Sequence, residues 1–157
     1  AIWGVTPAPG SADHKNAEEY IKEVGKDIVD RYYTFMFCRN PWDRLVSIYF
    51  GRKQILKVNM PPFEEFIKNC DPNLKPTKAQ VSWIKNEEGI IKLDFLGRFE
   101  NYKNDWKILR NKLNLDIELP HLNKSKHRQY RDYYNDELKD IVHKKYLSDI
   151  EFFNYTF

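Results

Sequence analysis

Arg39, Arg44 and Ser47 stand close together directly behind an apolar run, and two guanidiniums with a hydroxyl are the donors that a phosphate-like anion calls for. Asn40, Arg44 and Ser47 are spaced by four and then three residues, so a helix beginning near Pro41 carries them on one face and leaves Leu45, Ile48 and Tyr49 on a more apolar one. A guanidinium at the end of a strand and a hydroxyl two turns into the next helix can grip one phosphate from two sides. Farther on, Lys124, Lys126, Arg128 and Arg131 surround Ser125 and Tyr130 and offer more positive charge to an anionic partner. Taken by themselves these residues also admit a plain reading, with Arg39 paired to an acidic neighbour, Ser47 on a solvated face and the basic run in a solvated loop.

Such residues act only if elements hold them in place. Tyr32 to Cys38 is apolar or aromatic except for Thr34, the pattern of a strand buried on both faces. Asn40 is placed to cap the following helix, Pro41 suits its first turn and Asp43 lies near the positive end of its dipole. Residues 1–13 read as irregular. Ala17, Tyr20, Ile21 and Val24 predict a short amphipathic helix stopped by Gly25. After Pro61 and Pro62, helices are expected over Phe63 to Lys68 and Thr77 to Lys85. Ile91, Leu93 and Phe95 alternate as in a strand, Tyr102, Trp106, Leu109 and Leu113 mark another helix, and Leu138, Ile141, Val142 and Tyr146 mark a last one. Strands alternating with helices predict an α/β fold with a central, mainly parallel sheet flanked by helices.

The chain has 157 residues, 41% hydrophobic and 15% aromatic, enough for one domain spanning 1–157. Its 26 basic and 23 acidic residues leave a formal charge of +3, too balanced for a duplex-binding protein but compatible with a local anion site. No apolar run is long enough to cross a bilayer, and no signal peptide is read. With only Cys38 and Cys70, neither a disulfide framework nor a cysteine metal site is expected. A cytoplasmic location is expected, with the Golgi lumen as the alternative in which the sequons at Asn123 and Asn154 would matter.

The segment FMFCRNPWDRLVSIYF resembles the 3′-phosphate-binding segment of the sulfotransferases, in particular the carbohydrate and heparan-sulfate 2-O branch. DFLGRFENYKNDW (Asp94 to Trp106), LPHLNKSKHRQYRDYY (Leu119 to Tyr134) and the ending with Asp149, Ile150, Phe153, Tyr155 and Phe157 are similar to later segments of that branch, in order. The resemblance runs from about Tyr20 to the C-terminus. It implies a P-loop-NTPase-like sulfotransferase fold and transfer of a sulfuryl group from 3′-phosphoadenosine 5′-phosphosulfate to a hydroxyl acceptor, expected to be a glycan, without a metal.

By the same resemblance Arg39 and Ser47 hold the 3′-phosphate, and a cofactor-contacting loop lies near Ser125 and Arg128. Arg44 and Lys124 complete the expected cofactor contacts. His14 is the expected general base, since imidazole takes a proton at neutral pH and the residue lies near the position of a catalytic histidine in that branch. His121, His127 and His143 carry weaker arguments. The family's 5′-phosphosulfate loop, a proline and lysine followed by small residues, glycine, threonine and serine, has no match. TPAPGSADHK (Thr6 to Lys15) lacks its order, so the domain is expected to be incomplete at its N-terminus. A non-catalytic module that binds adenosine 3′,5′-bisphosphate or an acidic glycan is the alternative reading.

Overall fold

The computed structural model describes residues 15–117 and 126–157. In chain order the elements are α1 (Ala17–Val24), α2 (Lys26–Val29), β1 (Phe35–Cys38), α3 (Pro41–Gln54), α4 (Phe63–Asn69), β2 (Lys85–Asn86), β3 (Gly89–Ile90), β4 (Phe95–Arg98), α5 (Tyr102–Lys112), α6 (Asp136–Lys145) and α7 (Leu147–Phe153). Short 3-10 turns lie at Gln80–Ile84, Phe99–Asn101 and Tyr130–Tyr133. These elements gather into two compact units. One holds the described part of Ala1–Cys38 with Gln80–Asn114, the other Arg39–Ala79 with the described part of Leu115–Phe157.

The first unit is built on a parallel pair, β1 beside β4, in the register Phe35↔Phe95 to Cys38↔Arg98. Thr34 sets where the pairing begins. Its N–H and hydroxyl both donate to Asp94 Oδ2, at 2.7 and 3.0 Å, and its carbonyl accepts from the N–H groups of Asp94 and Phe95. This clasp explains why the second strand is Phe95–Arg98 rather than the stretch from Ile91 that alternation suggested: the carboxylate of Asp94 occupies the position before the ladder. It also shortens the first strand to Phe35–Cys38, leaving Tyr32 half exposed. At the middle of the pair, the Phe37 ring lies over Gly97, and Phe95 and Tyr102 hold it edge-on and tilted.

Asn16 and Glu19 close α1 with a reciprocal capping box, and Gly25 ends it at a φ of 89°, a conformation that costs glycine little. Where a helix over Thr77 to Lys85 was expected, the chain makes the turn Gln80–Ile84 and a small antiparallel hairpin, β2 with β3. Val81 and Ile84 are three apart, a spacing that a 3-10 turn aligns on one side as well as an α-helix does, and both are buried.

The second unit is helical. Trp42 and Leu45 from α3, Ile67 from α4, Leu138 and Val142 from α6, Tyr146 and Ile150 form its core with Cys70 and Ala79. The last helical pattern in the sequence, Leu138 to Tyr146, is α6; the chain breaks at Tyr146, whose buried hydroxyl donates to Thr77 O at 2.7 Å, and a further helix, α7, follows it. Asn135 caps α6 through Leu138 N–H, and Asn154 ends α7 in the left-handed region at a φ of 53°. Lys145 does more than complement the dipole of its own helix. Its ammonium donates to the carbonyls of Ile67, Lys68 and Cys70 at 3.1, 2.6 and 2.7 Å, satisfying the C-terminal end of α4.

Candidate functional site

β1 ends at Cys38, and Arg39 and Asn40 lead directly into α3. Asn40 is buried and fully occupied: its Oδ1 accepts from the N–H groups of Trp42 and Asp43, and its Nδ2 donates to Thr156 O at 2.8 Å. The first turn is fixed further by Trp42 Nε1 donating to Lys139 O and by the Tyr134 hydroxyl donating to Trp42 O, at 3.1 and 2.9 Å. Proline at the first helical position and asparagine before it are the local reasons that the helix starts here. The N-terminal turn of α3 is thus a rigid mount inside the second unit.

On that mount Arg39 Nε donates to Asp43 Oδ2 at 2.7 Å, each side chain being 18% exposed. The acidic neighbour foreseen as the plain alternative is real, and it takes the Nε donor of the guanidinium. Asp43 therefore orients Arg39 as well as compensating its charge.

Ser47 lies two turns into α3, half-buried, and its hydroxyl makes no hydrogen bond among the described residues. Arg44, on the same helix, donates through Nη2 to Pro76 O at 3.1 Å. Burial pulls its guanidinium below the ordinary arginine value; Asp149 and Tyr146 oppose that, while the charge of Arg39 adds to it. Arg44 consequently has a tie to the surrounding fold that Ser47 lacks.

Among the basic residues expected near the cofactor, Arg128 lies over the Tyr133 ring, 5.2 Å from its centre, and its N–H meets the Tyr133 hydroxyl at 3.1 Å. Arg131 lies over Tyr130 and Phe157. His14, Lys124 and Ser125 lie outside the described residues, as does His121. His143 stacks on Trp42, a packing role. His127 stacks on Phe50 and its Nδ1 lies 2.7 Å from Arg128 O, which makes that nitrogen the donor.

Two features escaped sequence reasoning. Gln54, the last residue of α3, pairs through its side-chain amide with the backbone of Lys126. The first unit also has a cleft of about 410 Å³ beside Ile21, Lys26, Thr34, Ile91 and Asp94. That cleft lies at the amino ends of β1 and β4, where Lys26 pairs with Asp30 and Asp94 with Thr34. Ligands of parallel sheets gather at the opposite, carboxyl ends.

The model of the sulfotransferase family matches residues 6–156, and the chain belongs to that family. A protein of Archaeoglobus fulgidus, described as uncharacterized, is 34% identical over 97 residues, covering 61% of this chain and 79% of its own length. No solved structure matches the chain. The family indicates a sulfuryl-transferring enzyme, and the fold is mixed α/β with a small parallel sheet. No helix among the described residues is long and apolar enough to cross a membrane.

Proposed function

We propose that this chain binds 3′-phosphoadenosine 5′-phosphosulfate and transfers its sulfuryl group to a hydroxyl of a carbohydrate, as in the heparan-sulfate 2-O branch that its motifs resemble. The observation that carries the reading is the start of α3, where Arg39 just before the helix is held through Nε by Asp43 and Ser47, two turns in, has a hydroxyl that makes no hydrogen bond among the described residues. The donor set fits a phosphate monoester: a fixed fork of N–H groups and one O–H, with the positive charge of Arg44 close by. In this reading Arg39 and Ser47 hold the 3′-phosphate. Arg44 adds charge while remaining tied to Pro76 O, and Arg128, with Lys124 and Ser125, contributes from the basic segment.

The bound nucleotide supplies an activated sulfuryl group whose leaving group is a phosphate. The chain's own tasks are to fix the nucleotide, to align the acceptor oxygen and to accept its proton. His14 is assigned that proton. A P-loop-like sheet and a cytoplasmic setting belong to the same proposal; the two buried thiols, Cys38 and Cys70, accord with a reducing compartment.

Transfer is the test. Donor labelled in its sulfate is incubated with the chain and a desulfated uronic-acid polysaccharide. Label in the polysaccharide supports the enzyme, and donor binding without any transfer reduces the chain to a binding module.

A further inference from the structure

We propose that Gln54 is a positioning residue for the nucleotide site: its side-chain amide clamps the backbone of Lys126 and so holds the cations of 126–128 on the helix that carries Ser47. This rests on the cofactor reading above. Gln54 Nε2 donates to Lys126 O at 2.6 Å, and Gln54 Oε1 accepts from Lys126 N–H at 2.9 Å. An amide side chain thus pairs with both polar groups of one backbone residue, a match that fixes orientation as well as distance and that no other side-chain type reproduces with neutral groups.

Four further contacts act at the same place. Phe50, one turn before Gln54, stacks on His127 at 5.7 Å between ring centres and packs against Tyr133 at 5.0 Å. Tyr133 in turn carries Arg128 over its ring and meets the Arg128 N–H with its hydroxyl. Gln54 is seven residues after Ser47, two turns farther along the same side of α3, or roughly 10 Å at the helical rise. Arg39 thus stands just before α3, Ser47 lies midway along it, and an anchored cationic segment sits at its end.

Position along a helix face and anchorage are what a nucleotide with two phosphate groups needs from separate cations. Anchoring the backbone beforehand lowers the ordering cost of recruiting Lys126 and Arg128 when the anion arrives. Gln54 itself touches the segment and not the ligand. Its side chain is exposed, so its replacement leaves the core of the unit intact.

The experiment compares wild type, Gln54→Ala and Gln54→Glu. Hydrogen exchange is followed at the Lys126 amide, and adenosine 3′,5′-bisphosphate is titrated calorimetrically at several salt concentrations. Gln54→Ala should exchange Lys126 faster, bind the nucleotide about tenfold more weakly, the loss expected from two hydrogen bonds of ordinary strength, and show a shallower salt dependence because fewer cations engage the anion. Gln54→Glu keeps the acceptor for Lys126 N–H but sets a carboxylate oxygen against Lys126 O and adds negative charge near the anion, and should bind at least as weakly as Gln54→Ala. Faster exchange in Gln54→Ala with unchanged affinity and salt slope would overturn the positioning role and leave the cofactor reading standing. No binding by the wild type would overturn both.

Discussion

Arg39 and Asp43 form an ion pair across the first turn of α3, with Nε and Oδ2 2.7 Å apart and both side chains mostly shielded. Arg39 stands just before a helix whose start is locked by Asn40 and Asp43 lies in its first turn, so the carboxylate meets a guanidinium with little freedom to turn away. Removing Asp43 should therefore leave Arg39 charged but badly aimed. Asp43→Ala is expected to weaken binding of adenosine 3′,5′-bisphosphate about fivefold, the scale of a partly exposed ion pair worth ~1 kcal/mol. Calorimetry checks it, and an affinity equal to wild type would mean that Asp43 has no orienting role.

Ser47 has a hydroxyl without a partner among the described residues, so its removal leaves no buried group stranded. Ser47→Ala should hold the melting temperature while costing about tenfold in nucleotide affinity, since a hydrogen bond to a charged group is worth ~1.5 kcal/mol or more. Ser47→Thr, which keeps the hydroxyl, should recover most of that loss. A lower melting temperature with unaltered affinity would assign Ser47 to the fold instead.

Gly97 faces the Phe37 ring across the parallel pair. A Cβ there would lie 2.5, 2.7 and 2.9 Å from three ring atoms, and that ring is itself hemmed in by Phe95 and Tyr102. Gly97→Ala should destabilise the chain by about 1 to 3 kcal/mol, the usual penalty for overpacking. Thermal unfolding reads this directly, and a stability equal to wild type would show that the ring yields without cost.

Asp94 gives a pH signature. The Thr34 N–H, opposed by desolvation and aided by the Thr34 hydroxyl and by Lys92 and Lys112, holds its carboxyl below the usual aspartate range. A depressed folded-state value contributes stability that is present above the unfolded-state value of roughly 4 and is lost as the pH falls through the folded-state value. Asp94→Ala should accordingly be less stable than wild type at pH 7, with the gap narrowing as the solution is acidified below about pH 4. A gap independent of pH would point to the lost backbone partner alone.

Much of this was legible in residue types. Asn40 before Pro41 marked the start of α3, Gly25 the end of α1, and the apolar run before Arg39 marked β1, because each signal is local and its cause is the backbone itself. Harder to see were features decided by distant partners. The Thr34 clasp on Asp94 moved the start of β4 past Ile91, and the turn at Gln80–Ile84 replaced a helix because the spacing of buried Val81 and Ile84 fits either. Lys145 caps α4 from a site 75 residues or more away in sequence, a contact that no local pattern announces. In the site, Arg39 and Ser47 could be picked out by order and spacing, whereas Gln54 carries no signature until the backbone of Lys126 is placed beside it.

The most direct measurement is calorimetric titration of the wild type and of Arg39→Ala with adenosine 3′,5′-bisphosphate and, separately, with adenosine 5′-monophosphate. If Arg39 and Ser47 grip a 3′-phosphate, the wild type should prefer the bisphosphate by about tenfold or more, as charge-assisted hydrogen bonds imply, and Arg39→Ala should lose that preference with its fold intact. Equal affinity of the wild type for the two nucleotides, or a preference that survives in Arg39→Ala, would contradict the assignment.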